Sequence, residues 1–289
     1  MFKGCFVAIV TPFKKEEIDE EALRKVIQLC LEKGVDGIVP CGTTGESPTL
    51  SFEEHKKVIE ITIDEVKGRV PVIAGAGSNS TKEAEALTEF AKKAGAEGAL
   101  VITPYYNKPT QKCLEAHYRK LDTIGIPIII YNVPSRTGVN ISPSTVAKLS
   151  RLNNIVGIKE ASGSMDQISS IIAASDPNFF VLSGNDSQTL PILSLGGVGV
   201  ISVVANIIPE ETTKMVSLYL KGNIDKAREL HYKMYPLCQA MFIETNPLPI
   251  KTAMAKMGMI QKEWRLPLGE MKEENEEKVG KALYEYGLL

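Results

Sequence analysis

The chain has 289 residues, 44% hydrophobic and 24% charged, with a formal net charge of -2. That is ordinary globular composition, and its length allows two domains or one α/β barrel of about 200–250 residues with an extension. With no basic field, nucleic acid and anionic membrane surfaces are poor partners, and no apolar run approaches the ~18 residues of a membrane span. The stretch Met1-Phe2-Lys3-Gly4-Cys5 opens no long apolar leader. Five scattered cysteines (Cys5, Cys30, Cys41, Cys113 and Cys238), never paired as Cys-x-x-Cys, suit reduced thiols in a cytoplasmic protein.

From the N-terminus onward one unit repeats: a helix-period stretch, a glycine, then a short β-branched run. Leu23 to Leu31 ends at Gly34, before Gly37-Ile38-Val39. Val58 to Val66 ends at Gly68, before Val70-Pro71-Val72-Ile73, and Ala84 to Ala94 ends at Gly95, before Ala99-Leu100-Val101-Ile102. Leu114 to Ile124 ends at Gly125, before Ile128-Ile129-Ile130. A glycine just past a helix supplies its left-handed cap. Helix starts are legible too: Ser51-Phe52-Glu53-Glu54 and Ser80-Thr81-Lys82-Glu83 match capping boxes, and Ser142-Pro143 puts proline at a first helical position.

Apolar runs predict strands near residues 5–10, 37–40, 70–74, 98–102, 127–131, 155–159, 179–182 and 198–203. Eight strands alternating with helices require parallel pairing and predict a (β/α)8 TIM barrel over residues 1–222; a doubly wound open sheet is the rival. Neither Gly75-Ala76-Gly77-Ser78-Asn79-Ser80 nor Gly196-Gly197-Val198-Gly199 completes a dinucleotide fingerprint. Beyond a helix near 209–221 the alternation stops. Residues 223–289 read as a C-terminal helical extension, with an apolar stripe Ile224, Ala227, Leu230, Met234, Leu237, Met241 and a charged last helix over 272–286. Met254, Met257 and Met259 read as adaptable packing.

In a barrel the chemistry sits at the C-terminal strand ends. There the chain offers Gly42-Thr43-Thr44-Gly45-Glu46-Ser47, Thr103-Pro104-Tyr105-Tyr106-Asn107, Tyr131-Asn132-Val133-Pro134-Ser135-Arg136-Thr137-Gly138, Lys159-Glu160, Ser183-Gly184-Asn185-Asp186, and Ser202 with Asn206. Lys159 closes the apolar run Ile155-Val156-Gly157-Ile158. Burial disfavours the charged form of a lysine, which makes a neutral amine nucleophile available. These parts suit imine chemistry on a small keto acid: the amine attacks the ketone, the protonated imine acts as electron sink, and phenol or threonine hydroxyls move protons. Backbone N–H groups of the Gly-Thr-Thr-Gly turn can cradle one carboxylate and Arg136 can grip a second. Taken singly, each has a plain structural reading: Lys159 pairs with a carboxylate, Glu160 or another, or snorkels, the tyrosines pack, the threonines turn the chain, and Arg136 closes a surface ion pair.

Other chemistries find little. His55, His117 and His231 lack ligand spacing and fall on predicted helices, so no metal site is expected. No Gly-x-Ser-x-Gly elbow is present for a serine hydrolase, and no phosphate-cradling stretch stands ready for pyridoxal phosphate or flavin.

On Ala8-Ile9-Val10-Thr11-Pro12, Gly42-Thr43-Thr44-Gly45-Glu46, Thr103-Pro104-Tyr105-Tyr106-Asn107, Val133-Pro134-Ser135-Arg136-Thr137-Gly138, Gly157-Ile158-Lys159 and Glu244-Thr245-Asn246-Pro247, the chain resembles the dihydrodipicolinate synthase family, within the pyruvate-dependent class I aldolases. The resemblance runs over essentially the whole chain, from Phe2-Lys3-Gly4 to Gly287-Leu288-Leu289. It implies a Lys159–pyruvate imine and a hydroxyl relay of Tyr131, Thr43 and Tyr106, the last reaching into a neighbouring subunit. It implies that Thr44 helps bind the pyruvate carboxylate, that Arg136 binds the carboxylate of aspartate 4-semialdehyde, and that Gly184 and Ile201 line the site through their backbone. The implied product feeds diaminopimelate and lysine synthesis, the assembly is a homotetramer of tight dimers, and neither metal nor dissociable cofactor is used. N-acetylneuraminate lyases and 2-keto-3-deoxygluconate aldolases share the Lys and Tyr but not typically Ser-Arg-Thr-Gly. Ser47, His55, Asn79, Glu83 and Tyr105 match the lysine pocket of feedback-inhibited members, although Phe52 stands where some of these have His and Pro48 follows Ser47.

Overall fold

Parallel strands rich in Ile, Val and Leu need both faces covered, and here they obtain it by closing on themselves. The structure, a computed structural model, describes residues 2–289. After β1 (Gly4–Ala8) comes a small hairpin of β2 (Phe13–Lys14) and β3 (Glu17–Ile18), which the apolar pattern does not predict. The other strands are β4 (Gly37–Val39), β5 (Ile73–Gly75), β6 (Gly98–Ile102), β7 (Ile128–Asn132), β8 (Ile155–Glu160), β9 (Phe180–Ser183) and β10 (Gly199–Ser202). Their order is β4-β1-β10-β9-β8-β7-β6-β5, all pairs parallel, and the bridge Ile38↔Val72 closes the ring. This is the (β/α)8 barrel, not the open sheet.

The helices are α1 (Glu20–Glu32), α2 (Phe52–Val66), α3 (Thr81–Ala94), α4 (Gln111–Asp122), α5 (Pro134–Thr137), α6 (Pro143–Leu149), α7 (Met165–Ala174) and α8 (Thr189–Ser194). After them come α9 (Pro209–Leu220), α10 (Ile224–Ala240), α11 (Leu248–Lys256) and α12 (Glu273–Tyr286). Helix α10 packs on α9 and α12, and α11 packs on α12. The predicted stripe of α10 is buried at Ala227, Met234 and Leu237, and His231 and Cys238 join it. Ile224, at the exposed first residue of the helix, departs from it and is 49% exposed.

Local signals hold with two exceptions. The Ser51 capping box forms in both directions, with Glu54 N–H donating to Ser51 Oγ at 3.2 Å and Ser51 N–H to Glu54 Oε2 at 2.8 Å. The Ser80 box does not form. Ser80 makes no side-chain cap; its N–H donates to Ser78 Oγ, which in turn donates to Glu83 Oε2 at 2.7 Å, so a neighbouring hydroxyl has taken the glutamate. The third barrel strand begins at Ile73 rather than near residue 70. Pro71 has no N–H for a ladder, and the Val72 N–H is diverted to Glu97 Oε2 at 2.8 Å.

Side chains alternate inward and outward along each strand. Phe6, Ala8, Val39, Ile73, Leu100, Ile129, Tyr131, Phe180, Leu182 and Ile201 fill the interior. Two glycines make room for its large rings: a Cβ on Gly37 would lie 2.3 Å from the Phe6 ring, and one on Gly157 2.3 Å from the Phe180 ring. Because residue 157 points inward, residue 159 does too.

Candidate active site

Lys159 and Tyr131 are register partners on adjacent strands, so both project into the barrel at the same level. The Lys159 Nζ stands 4.2 Å from the centroid of the Tyr131 ring, and Lys159 is 5% exposed. Glu160 faces outward by strand alternation. It accepts from Asn132 Nδ2 at 3.1 Å, Ser162 N–H at 2.6 Å and Gln167 Nε2 at 3.3 Å, and forms no ion pair with Lys159. Burial raises its carboxyl above the usual range against these donors. The plain reading of Lys159 as the ion-pair partner of Glu160 therefore fails. The Lys159 Nζ rests on an aromatic face instead.

On the other side, Gly184 N–H donates to Glu160 O at 2.8 Å, which brings the β9 end close to the lysine. A Cβ there would come within 3.2 Å of Lys159 Cε and 2.7 Å of Ala161 Cβ, so glycine is required by close approach rather than by its φ. Ile201, one strand further round, is fully buried in the interior cluster.

Above this level opens a cavity of about 210 Å³, whose wall includes Thr43, Ser47, Tyr105, Tyr131, Arg136 and Thr137. The turn from Gly42 is closed by its own hydrogen bonds: Gly45 N–H and Ser47 N–H donate to Gly42 O, and Glu46 N–H to Thr43 O. The Thr43 and Thr44 N–H groups are left without a protein acceptor among the described residues, as an anion cradle requires. The Thr44 hydroxyl points away from the cavity wall and accepts from Asn246 Nδ2 at 3.0 Å. Arg136, at the end of α5, is exposed and donates through Nη2 to Asn246 O at 2.9 Å. Asn246 thus ties together the two loops that carry Thr44 and Arg136.

Tyr106 does not reach this cavity within one chain. It is 88% exposed with φ 73°, a left-handed conformation that is rare for a bulky residue. Its N–H is held by Thr137 O at 3.3 Å.

The five residues matched to a lysine pocket fall into two places. Ser47 and Tyr105 line the cavity. His55 lies behind Ser47, with Nε2 donating to Gly75 O at 2.7 Å and Nδ1 facing Ser47 Oγ at 3.5 Å; burial pushes its pKa down. Asn79 O accepts from Asn107 Nδ2 at 2.8 Å, and Glu83 accepts from Ser78 at the start of α3.

Two buried acids were not singled out by sequence reasoning. Asp186 accepts from Ser202 Oγ at 2.5 Å and from Val203 and Val204 N–H at 3.0 Å, which fixes the β10 end beside the lysine. Burial raises its carboxyl, opposed by these donors and by Lys159. Glu46 forms a fully buried ion pair with Lys251 of α11 at 2.5 Å. Charged residues at strand-end positions were the only available signal. Ser202 and Asn206, by contrast, hold backbone and side chains of the barrel rim, Asn206 Nδ2 donating to Ala8 O at 2.8 Å.

No group of three or more His, Cys, Asp or Glu is placed to hold a metal ion among the described residues, and no helix is long and apolar enough to cross a membrane.

A buried lysine on an aromatic face, at the C-terminal end of a barrel strand and beside a cavity lined by hydroxyls and an arginine, suits a class I aldolase-type lyase. Residues 1–286 match the model of the Dihydrodipicolinate synthetase family, and the chain belongs to that family. It is 59% identical to the 4-hydroxy-tetrahydrodipicolinate synthase of Syntrophus aciditrophicus, and 56% to that of Thermodesulfovibrio yellowstonii, over the full length of each chain. The crystal structure of dihydrodipicolinate synthase from Aquifex aeolicus superposes with a TM-score of 0.98 at 52% identity, covering 99% of both chains.

Proposed function

We propose that this enzyme condenses pyruvate with L-aspartate 4-semialdehyde to 4-hydroxy-tetrahydrodipicolinate, through an imine on Lys159. The observation that carries the reading is the Lys159 amine 4.2 Å from the centroid of the Tyr131 ring, the same Tyr131 that lines a cavity together with Thr43 and Arg136. The amine adds to the pyruvate ketone, and loss of water leaves an iminium that draws electrons from the neighbouring methyl group. The resulting enamine carbon attacks the aldehyde. The substrate's own amino group then displaces Lys159 from the imine carbon, which closes the ring and frees the lysine. Tyr131, Thr43 and Tyr106 relay the protons of the carbinolamine steps. The free N–H groups of the Thr43–Thr44 turn hold the pyruvate carboxylate, and Arg136 holds that of the semialdehyde. Gly184 and Ile201 present backbone beside the imine.

Exposure of Tyr106 on a strained tip supports its action in a second subunit, within a homotetramer built from tight dimers. The imine is the sole covalent group required, with no dissociable cofactor, and the setting is cytoplasmic. Lysine feedback through Ser47, His55, Asn79, Glu83 and Tyr105 is the regulatory part of the reading. Glu83 also has a structural role beside this one, accepting from the Ser78 hydroxyl that holds the Ser80 N–H.

The direct test is pyruvate with sodium borohydride on the folded protein, followed by peptide mass spectrometry. One reduced pyruvate on the peptide containing Lys159 is expected. An unmodified Lys159 peptide would overturn the imine.

A further inference from the structure

The turn that carries Thr43 and Thr44 is gripped from outside the barrel. Glu46, the last residue before Ser47, sits in the left-handed region at φ 53°, and its N–H donates to Thr43 O at 3.2 Å. The side chain leaves the cavity and meets Lys251 Nζ at 2.5 Å, with both side chains fully buried. The second carboxylate oxygen accepts from Arg265 N–H at 3.3 Å and from Thr49 Oγ1 at 3.4 Å. Both cations lie against the buried Phe13 ring, Lys251 Nζ at 4.3 Å and Arg265 Cζ at 4.4 Å from its centroid. One residue earlier, Gly45 lies against Cys41 N and Ile9 O, each 3.1 Å from where a Cβ would stand, so the turn has little freedom on its inner side.

A buried ion pair is an uncertain source of stability, because desolvation offsets the attraction between its charges. Burial indeed pulls the Lys251 ammonium below its ordinary range, with Glu46 opposing that shift. What the pair does supply is geometry: it anchors a strained turn to a helix 205 residues further along the chain.

We infer that Glu46 and Lys251 are positioning residues that set the Thr43–Thr44 turn for the pyruvate carboxylate from α11. The inference rests on the function proposed above. It makes α11 a part of the pyruvate site without any α11 side chain on the cavity wall.

The test is the double variant Glu46→Gln/Lys251→Met, which removes both charges at similar volume. Borohydride trapping of pyruvate on Lys159 in the parent enzyme is measured first, so that failure of the imine reading is recognised separately. In the double variant the pyruvate KM is expected to rise about tenfold, with the semialdehyde KM changed less than about twofold. Thermal stability stays near the parent's, and trapping at saturating pyruvate reaches the same extent. A folded double variant with the parent's pyruvate KM would overturn the inference, as would a parallel loss in both KM values and kcat. Phe13→Leu, which weakens the support under both cations, is the milder second variant. It is expected to raise the pyruvate KM about threefold. Should the double variant fail to fold, an unchanged KM in Phe13→Leu would overturn the inference.

Discussion

Gly184→Ala isolates the packing of Lys159 from its proposed chemistry. The added methyl would lie 2.7 Å from Ala161 Cβ, 3.0 Å from Glu160 O and 3.2 Å from Lys159 Cε. Glu160 O is tied down by the Gly184 N–H at 2.8 Å, and Ala161 N–H by Asn132 O at 2.9 Å, so the lysine methylene is the softest of the three. Overpacking of this kind costs about 1–3 kcal/mol, or roughly 2–10 °C in Tm for a chain of this size. A shift of the amine by a fraction of the ~1 Å that costs about a hundredfold should slow imine formation about tenfold, near 1.4 kcal/mol of barrier. The assay is the single-turnover rate of borohydride trapping with pyruvate, alongside a thermal melt. A variant with the parent's Tm and the parent's trapping rate would refute the reasoning. A lowered Tm with unchanged trapping would show that Ala161 yields instead of the lysine.

Arg136→Ala should raise the semialdehyde KM by about tenfold or more, as expected for loss of a charge-assisted contact, with a much smaller effect on pyruvate; equal effects in steady-state kinetics would remove that role. Tyr131→Phe keeps the aromatic face under Lys159 and should lower kcat by about a hundredfold while leaving Tm near the parent's. The hydrogen bond from Arg265 to Glu54 holds that carboxyl down at about 2, against an ordinary 4.5. A depressed folded pKa contributes stability that is present above about 4.5 and lost as the pH falls toward 2. After solvent screening of this partly exposed pair, about 1–2 kcal/mol is expected. Denaturant melts of the parent and Glu54→Gln should therefore converge across that pH window, and parallel stability curves would count against it.

Much of the candidate site was legible because its parts are local. Strand-end position singled out Lys159, Tyr131, Thr43 and Arg136, of which the last three line one cavity, and the motif from Gly42 to Glu46 announced a turn. Thr44 shows where this reasoning stops. Its neighbour Thr43 lines the cavity while its own hydroxyl turns to Asn246, 202 residues away, and nothing in the two adjacent threonines distinguishes them. Tyr105 and Tyr106 divide in the same manner, one on the cavity wall and the other projecting into solvent.

By itself, the sequence determined the repeating helix–glycine–strand unit, the number of barrel strands and the ends on which chemistry-bearing residues fall. Each of these depends on periodicity and turn chemistry within a few residues. Tertiary structure decided which of Lys159 and Glu160 faces inward, since alternation sets them opposite but only the Gly157–Phe180 packing chooses the side. It also decided that Glu46 finds Lys251 and that Arg136 finds Asn246, 110 residues on. Buried charges and polar groups must be matched to partners, and which partner is within reach depends on how the closed ring brings distant segments together.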